Sequence, residues 1–287
     1  MDLSRVNSQY QTRMDRVTNY IYDHLDEDID LNHLAEIACL SPYHWHRTYR
    51  GIKGETIKAT VKRLRLHRAA TQLANTKMSM SEIVAMSGYG SLSAFSRAFS
   101  ASYAMPPVAY REVGKPSKFN AKIVLGETLM HEVELRDVEE LTLVGLVHKG
   151  PYMEIGRAFE KLAVFGAKNK LFGPGMRSMA LYMDDPDTVE TKELRSFAGM
   201  LEINPVEVAA PFERKSVSAG RYAVMTFKGP YSELPSAYNW LFGTWLPSAD
   251  VELREMPCME DYLNDPRTVA PQELLTDIFM PIKQEYT

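Results

Sequence analysis

The sequence predicts a multidomain chain in which an all-α N-terminal domain with two helix-turn-helix units (residues 1–113) is joined by a linker (114–128) to an α+β C-terminal domain (129–287). The α+β part is read as a duplicated β-α-β-β unit that closes one antiparallel sheet with helices on one face. Three observations lead there. Helical periodicity fills the first part, where two tight turns are each followed by an arginine-bearing helix. Lysine and arginine outnumber acids there, 15 to 11 over residues 1–115, whereas residues 116–287 carry 18 against 26. Finally, "GPYMEI" (150–155) recurs as "GPYSEL" (229–234) and "YMDDPDTVETKEL" (182–194) as "YLNDPRTVAPQEL" (262–274). Tyr152 and Tyr182 lie 30 residues apart, Tyr231 and Tyr262 31 apart, so the two motifs belong to one longer repeat.

Each helix has its own signal. Met14, Val17, Ile21 and Leu25 form a buried stripe that ends at "DEDID". Asp30 is placed to cap a short helix over Leu31–Ala38, and after the turn "CLS" a second helix opens with proline, Pro42 to Gly51. Ile57 to Asn75 reads as a longer amphipathic helix with Leu64, Ala69 and Leu73 inward. The plan then repeats: "SMSEIVAMSG", a turn at Gly88, and "SLSAFSRAFSASY" closed by "AMPPVAYRE".

These residues resemble the AraC/XylS family of transcription regulators, chiefly in "LNHLAEIACLSPYHWHRTYRGIKGET" and "IVAMSGYGSLSAFSRAFSASYAMPPVAYR", over about residues 10–112. The resemblance implies a DNA reader, with double-stranded DNA and RNA polymerase as partners. Ala104 and Pro106 depart from it, standing where many members have Gly and Ser or Thr. Independently, nine lysines and arginines within residues 42–77 face one acid, Glu55, a balance that suits a phosphate backbone or a solvated helix face. In the first unit Trp45 and Tyr49 suit the buried side, leaving Tyr43, His46, Arg47 and Arg50 outward. In the second, Phe95 and Phe99 pack and Ser93, Ser96 and Arg97 remain available. Arg47 and Arg97 are candidates for base contact, since a guanidinium chelates guanine O6 and N7. Phosphate contact or a surface salt bridge is the alternative for both. Lys62 is read as a phosphate contact.

In the second part, "LTLVGLVHKG" and "RYAVMTFKG" precede the two GPY segments as strands, and "YMEIGRAFEKLAVFGAKN" and "YSELPSAYNWLFGTWL" follow them as helices. "SFAGMLEI" and "DIFMPI" close the halves as strands. This arrangement resembles the GyrI-like family, which includes effector-binding domains of drug-responsive regulators, over about residues 129–287; further markers are "WLPSADVELREMPCMEDYL" and the paired Asp-Pro turns.

The halves differ where chemistry is expected. Aligning Tyr182 with Tyr262 sets Ala180 opposite Glu260, and on a strand Cys258, Glu260 and Tyr262 share one face. A carboxylate among aromatic groups suits an organic cation, through charge and through the faces of tyrosine or tryptophan. The resemblance implies an acid used this way at this position. Met259, Trp240, Trp245, Tyr152 and Tyr231 are candidate walls, each with core packing as its alternative.

Composition bounds the rest. With 45% hydrophobic and 24% charged residues the chain is not of disordered type. It has no apolar run near the roughly 18 to 20 residues that span a bilayer. The start lacks an apolar signal core, and only Cys39 and Cys258 are present, so a cytoplasmic protein with no membrane partner is expected. No metal-ligand spacing, phosphate loop or nucleophile motif stands out, so no cofactor, no metal and no catalytic residue is expected. The expected function is transcription regulation in response to a small lipophilic or cationic effector, by a monomer or weak dimer. The alternatives are a small-molecule hydrolase, with Glu260 as general base and Tyr262 as assisting acid, and a protein-binding module.

Overall fold

Short polar side chains start the helices of the first part. In the computed structural model, which describes residues 8–41, 43–113, 131–186 and 188–283, Asp30 accepts the backbone N–H of Asn32 at 2.9 Å ahead of a helix over Leu31–Ala38. Ser79 and Glu82 form a reciprocal capping box ahead of Met80–Met86, and Ser91 caps Leu92–Tyr103. In order the helices are α1 (Ser8–Asp23), α2 (Leu31–Ala38), α3 (Trp45–Lys53), α4 (Ile57–Asn75), α5 (Met80–Met86), α6 (Leu92–Tyr103) and α7 (Pro107–Val113). Helix α3 starts at Trp45 rather than at the expected Pro42, which lies outside the described residues. So does the expected linker up to residue 128.

Packing divides the chain into two units. One contains Gln9–Cys39 and the described residues from Lys53 to 113; the other joins Leu40–Ile52 to the described residues from 131 onward. The helical unit is built on α4, where Leu66, Ala69 and Leu73 meet Ile83 of α5, Phe95, Phe99 and Tyr103 of α6, and Tyr110 of α7. Several cations of the basic stretch hold this unit together. Arg63 pairs with Glu55 at 2.6 Å, Arg68 with Asp26 at 2.7 Å and Lys53 with Asp15 at 2.6 Å, and Arg65 donates to the carbonyls of Leu25 and Glu27. Lys58, Lys62 and Lys77 are exposed.

The other unit holds an eight-stranded antiparallel sheet of β1 (Val133–Val138), β2 (Leu141–Lys149), β3 (Ser178–Tyr182), β4 (Arg195–Leu201), β5 (Glu213–Val217), β6 (Gly220–Lys228), β7 (Cys258–Tyr262) and β8 (Leu275–Pro281). The order is β1-β6-β8-β7-β3-β4-β2-β5. The repeat appears as β2-α8-β3-β4 and β6-α9-β7-β8, with α8 at Gly156–Lys168 and α9 at Leu234–Trp240. Two strands were not foreseen. β1, just before the first half, pairs with β6 of the second, and β5, just before the second half, pairs with β2 of the first. The halves thus exchange edge strands and meet at β3 and β7, where Ala180 lies opposite Glu260.

The repeated letters are scaffold. Gly150 and Gly229 of the GPY segments have φ of 128° and 150°, a region that favours glycine, and donate to the carbonyls of Leu194 and Leu274 at 2.9 Å. Lys149–Glu193 and Lys228–Glu273 pair at 2.5 Å beside them. Asp184 accepts the N–H of Arg195 and Asn264 that of Leu275, so corresponding side chains clamp the return strand in both copies. Leu143 of β2, Val217 of β5, Tyr222 of β6 and Phe279 of β8 share one apolar cluster, so the sheet curls around that face. Helix α8 covers the opposite face through Ala158 and Leu162, against Leu146, Ala180, Ala198 and Met200.

One local strain follows from a sequence departure. Ala104 caps α6 with φ 59°, where a Cβ is disfavoured. Ala104→Gly is expected to stabilise the helical unit by about 0.5–1 kcal/mol, the relieved strain less the entropy glycine adds to the unfolded chain. Urea denaturation of the full chain, followed by far-ultraviolet circular dichroism, checks this.

Candidate functional site

Alternation along β7 decides the site. Glu260 and Tyr262 face the helix-covered side of the sheet, while Met259, the residue before Glu260, points into the curled side. Opposite Glu260 the repeat places Ala180, too small to fill the space. A cavity of about 660 Å³ lies there, entirely within the unit that joins Leu40–Ile52 to the sheet. Ile155 and Phe159 near the start of α8, Leu234 and Pro235 of α9, and Met200 of β4 give it apolar walls. Asp185, Asp265 and the prolines that follow them lie at the two repeated turns.

Glu260 is 2% exposed, and among the described residues no cationic nitrogen stands within 4 Å of it. Its charge is held by hydroxyls. Tyr238 of α9 donates to Oε1 at 3.0 Å and Tyr262 to Oε2 at 2.9 Å. The Tyr262 hydroxyl lies 2.8 Å from that of Tyr182; because Tyr262 spends its proton on Glu260, Tyr182 is the donor in that contact. Burial raises the Glu260 pKa, opposed by the hydrogen bonds of Tyr262 and Tyr238 and the charge of Arg47. Burial also raises the phenols: Tyr182, Tyr238 and Tyr262 well above the usual tyrosine range, Tyr152 and Tyr231 to about 12. At neutral pH they are therefore donors. Their rings, with Phe159, meet edge to face: Tyr152 on Tyr182 at 4.7 Å, Tyr231 on Tyr262 at 5.4 Å and Phe159 on Tyr262 at 5.5 Å.

Among the expected ligand residues, Glu260, Tyr262, Tyr152 and Tyr231 meet in this cavity. Met259 does not; it is 1% exposed in the core on the other face. Trp240 and Trp245 do not line the cavity either, and the Trp240 ring packs edge-on to His131 at 5.0 Å. Tyr182, Tyr238, Phe159 and Asp185 were missed. Tyr182 was legible as the repeat counterpart of Tyr262, whereas nothing in the aromatic run of α9 marked which ring turns inward.

The expected DNA-reading residues separate. Ser93 and Arg97 of α6 and Lys62 of α4 are exposed, and Ser96 is half-buried. Trp45 and Tyr49 are buried as expected, and Tyr43 and Arg50 are exposed. His46 is half-buried beside Trp45, with ring centroids 4.0 Å apart. Arg47 is a correction: rather than facing outward, it is half-buried in the cavity wall, its guanidinium carbon 4.4 Å from the Tyr238 ring centroid, and Arg50 lines the same wall. Among the described residues no group of three His, Cys, Asp or Glu is placed to hold a metal, and no helix is long and apolar enough to cross a membrane.

Comparison with known proteins agrees with this division. A family model described as a GyrI-like small molecule binding domain matches residues 131–283, and one described as a helix-turn-helix domain matches 34–112. The bifunctional transcriptional activator/DNA repair enzyme AdaA of Bacillus subtilis is 31% identical over 102 residues, covering 36% of this chain and 48% of its own, so the chain spans about half the length of that relative. The transcriptional regulator Rob of Salmonella typhimurium is 20% identical, over 92% of this chain and 96% of its own. Of solved structures, the C-terminal domain of EcmrR covers 55% of this chain and 100% of its own at 18% identity, with a TM-score of 0.44.

A carboxyl group whose pKa is raised on folding binds its proton more tightly in the folded than in the unfolded chain. Its ionisation therefore lowers stability as pH rises from the ordinary carboxylate value through the folded value. Glu260→Gln, always neutral, is expected to melt higher than the native chain at pH about 7, and the two melting curves are expected to converge by about pH 4. Thermal melting of both proteins across that range tests the sign.

Proposed function

The chain belongs to the GyrI-like small-molecule-binding family, and from that premise we propose that it is a DNA-binding transcription regulator whose C-terminal cavity takes a lipophilic organic cation. The observation that carries the ligand class is Glu260: a carboxylate 2% exposed, accepting two phenol hydroxyls, with no cation within 4 Å among the described residues, inside a cavity walled by aromatic rings. Burying an uncompensated charge is costly, and a cation delivered by the ligand returns that energy as affinity. The five tyrosine rings and Phe159 in its walls add cation–π attraction without demanding one ligand shape. A volume of about 660 Å³ is ample for a molecule of several rings.

On the DNA side, Arg97 of α6 is exposed, and so is Lys62 of α4. Their partner on this reading is double-stranded DNA, with RNA polymerase recruited at promoters. The effector acts only through a difference in its affinity for two arrangements of the protein.

Tetraphenylphosphonium serves as the probe cation and triphenylphosphine oxide as its neutral counterpart. Glu260→Gln is expected to weaken the cation about a hundredfold, the roughly 3 kcal/mol typical of breaking a buried ion pair, and to leave the neutral probe unchanged. Calorimetric titration measures both; equal cation affinity in the two proteins overturns the assignment. For DNA, Arg97→Ala is expected to relax preference at one base step, while Lys62→Ala weakens all sequences alike. Selection from a random pool reads this out, and unaltered base preferences in Arg97→Ala would remove that residue from the reader.

A further inference from the structure

Helix α3 is the first unit's expected recognition helix, yet its packing ties it to the effector-binding part of the chain. His44, Arg47 and Gly51 fall on one side, at steps of three and four residues, and each packs on the α9 segment of the unit to which Leu40–Ile52 belongs. Gly51 approaches Gly243, in the π-helical turn Leu241–Trp245 that continues α9, so closely that a Cβ on Gly51 would lie 2.5 Å from Gly243 Cα. A Cβ on Gly243 would lie 2.4 Å from the Gly51 carbonyl oxygen. Backbone meets backbone there, and only two glycines permit it. His44, 1% exposed, stacks on Phe242 with centroids 5.7 Å apart. Burial, assisted by the charge of Arg47, lowers its pKa to about 3 and keeps it neutral. Between these contacts Arg47 reaches the cavity and lies over the ring of Tyr238, the residue whose hydroxyl binds Glu260.

We propose that Arg47 is a built-in occupant of the effector cavity, which an organic cation displaces, so that effector binding releases α3 for DNA. This rests on the cation reading of Glu260 given above. The guanidinium offers what such a ligand offers, a weakly hydrated cation on a tyrosine face. While it lies over Tyr238 it cannot chelate a guanine, so cavity and base edge compete for one side chain. Linkage makes the effect reciprocal: the factor by which the cation tightens DNA binding is the factor by which DNA tightens cation binding.

The test uses the full chain, tetraphenylphosphonium and a DNA sequence selected by the full chain in its presence. Arg47→Ala removes the occupant, and Gly243→Ala forces α3 away without altering a cavity or DNA-reading side chain. Both are expected to bind the cation at least tenfold more tightly than the native chain. The native chain is expected to bind DNA more tightly when saturated with the cation, and Gly243→Ala to bind DNA tightly without it. If Arg47→Ala binds the cation no better, or more weakly because it props the wall, the inference is overturned while the Glu260→Gln result keeps the cation reading standing. If no protein binds the cation, that reading falls, and the DNA affinity of Gly243→Ala decides the inference alone: unchanged affinity rejects it, increased affinity supports the docked helix. Circular dichroism confirms folding of Gly243→Ala. Should it fail to fold, Gly51→Ala perturbs the same contact from the helix side and is scored by cation affinity.

Discussion

A carboxylate with 2% of its surface exposed sets the terms for everything around it. Water cannot solvate Glu260, so the protein must supply hydrogen bonds or positive charge, or accept the proton. Here two hydroxyls supply the bonds, a third steadies one of them, and the charge of Arg47 acts from beyond ion-pair distance. The result is a site neither satisfied enough to be inert nor exposed enough to be ordinary. Its three tyrosines come from three elements, α9, β3 and β7, so the site exists only when both halves of the repeat are assembled.

The duplication explains how such a site is held. Matching positions build matching supports: the GPY glycines, the lysine–glutamate pairs and the clamp at Asp184 or Asn264. Exchange of β1 and β5 between halves locks the sheet across its centre, since neither half carries its own edge strand. With the backbone fixed twice over, one departure from symmetry carries the chemistry. Ala180 gives room and Glu260 gives charge, directly opposite each other on β3 and β7.

What the sequence revealed follows the range of the interactions involved. Helices announce themselves through caps and apolar stripes, both local, and Asp30 stands at the boundary where it was expected. The repeat also located Glu260, because a difference between two copies is readable without a fold. Edge exchange left no signal, since pairing between β1 and β6 joins residues some ninety positions apart. Of the two roles open to Met259, wall or core, the structure selects the core, as strand alternation from Glu260 and Tyr262 requires. Tyr238 was missed because α9 is aromatic on several sides, and only packing selects the ring that turns inward. Helical periodicity points Arg47 outward because it separates buried from exposed within one motif and says nothing of a surface brought in from about two hundred residues away.

Arg47 also sets the scale of the response. An occupant tethered to its own cavity acts at an effective concentration on the order of millimolar, so an external cation binds with its intrinsic affinity reduced by the fraction of time the cavity is empty. A guanidinium on a tyrosine face, without an ion pair to Glu260 among the described residues, is a weak occupant by that measure. A full ion pair with Glu260 would close the cavity to all but the tightest ligands, and an apolar residue in place of Arg47 would leave nothing for a cation to displace. The observed contact lies between these limits. An aromatic cation, carrying the same charge with more apolar surface to bury, has the advantage over Arg47 on Tyr238, and that difference is the free energy available to move α3.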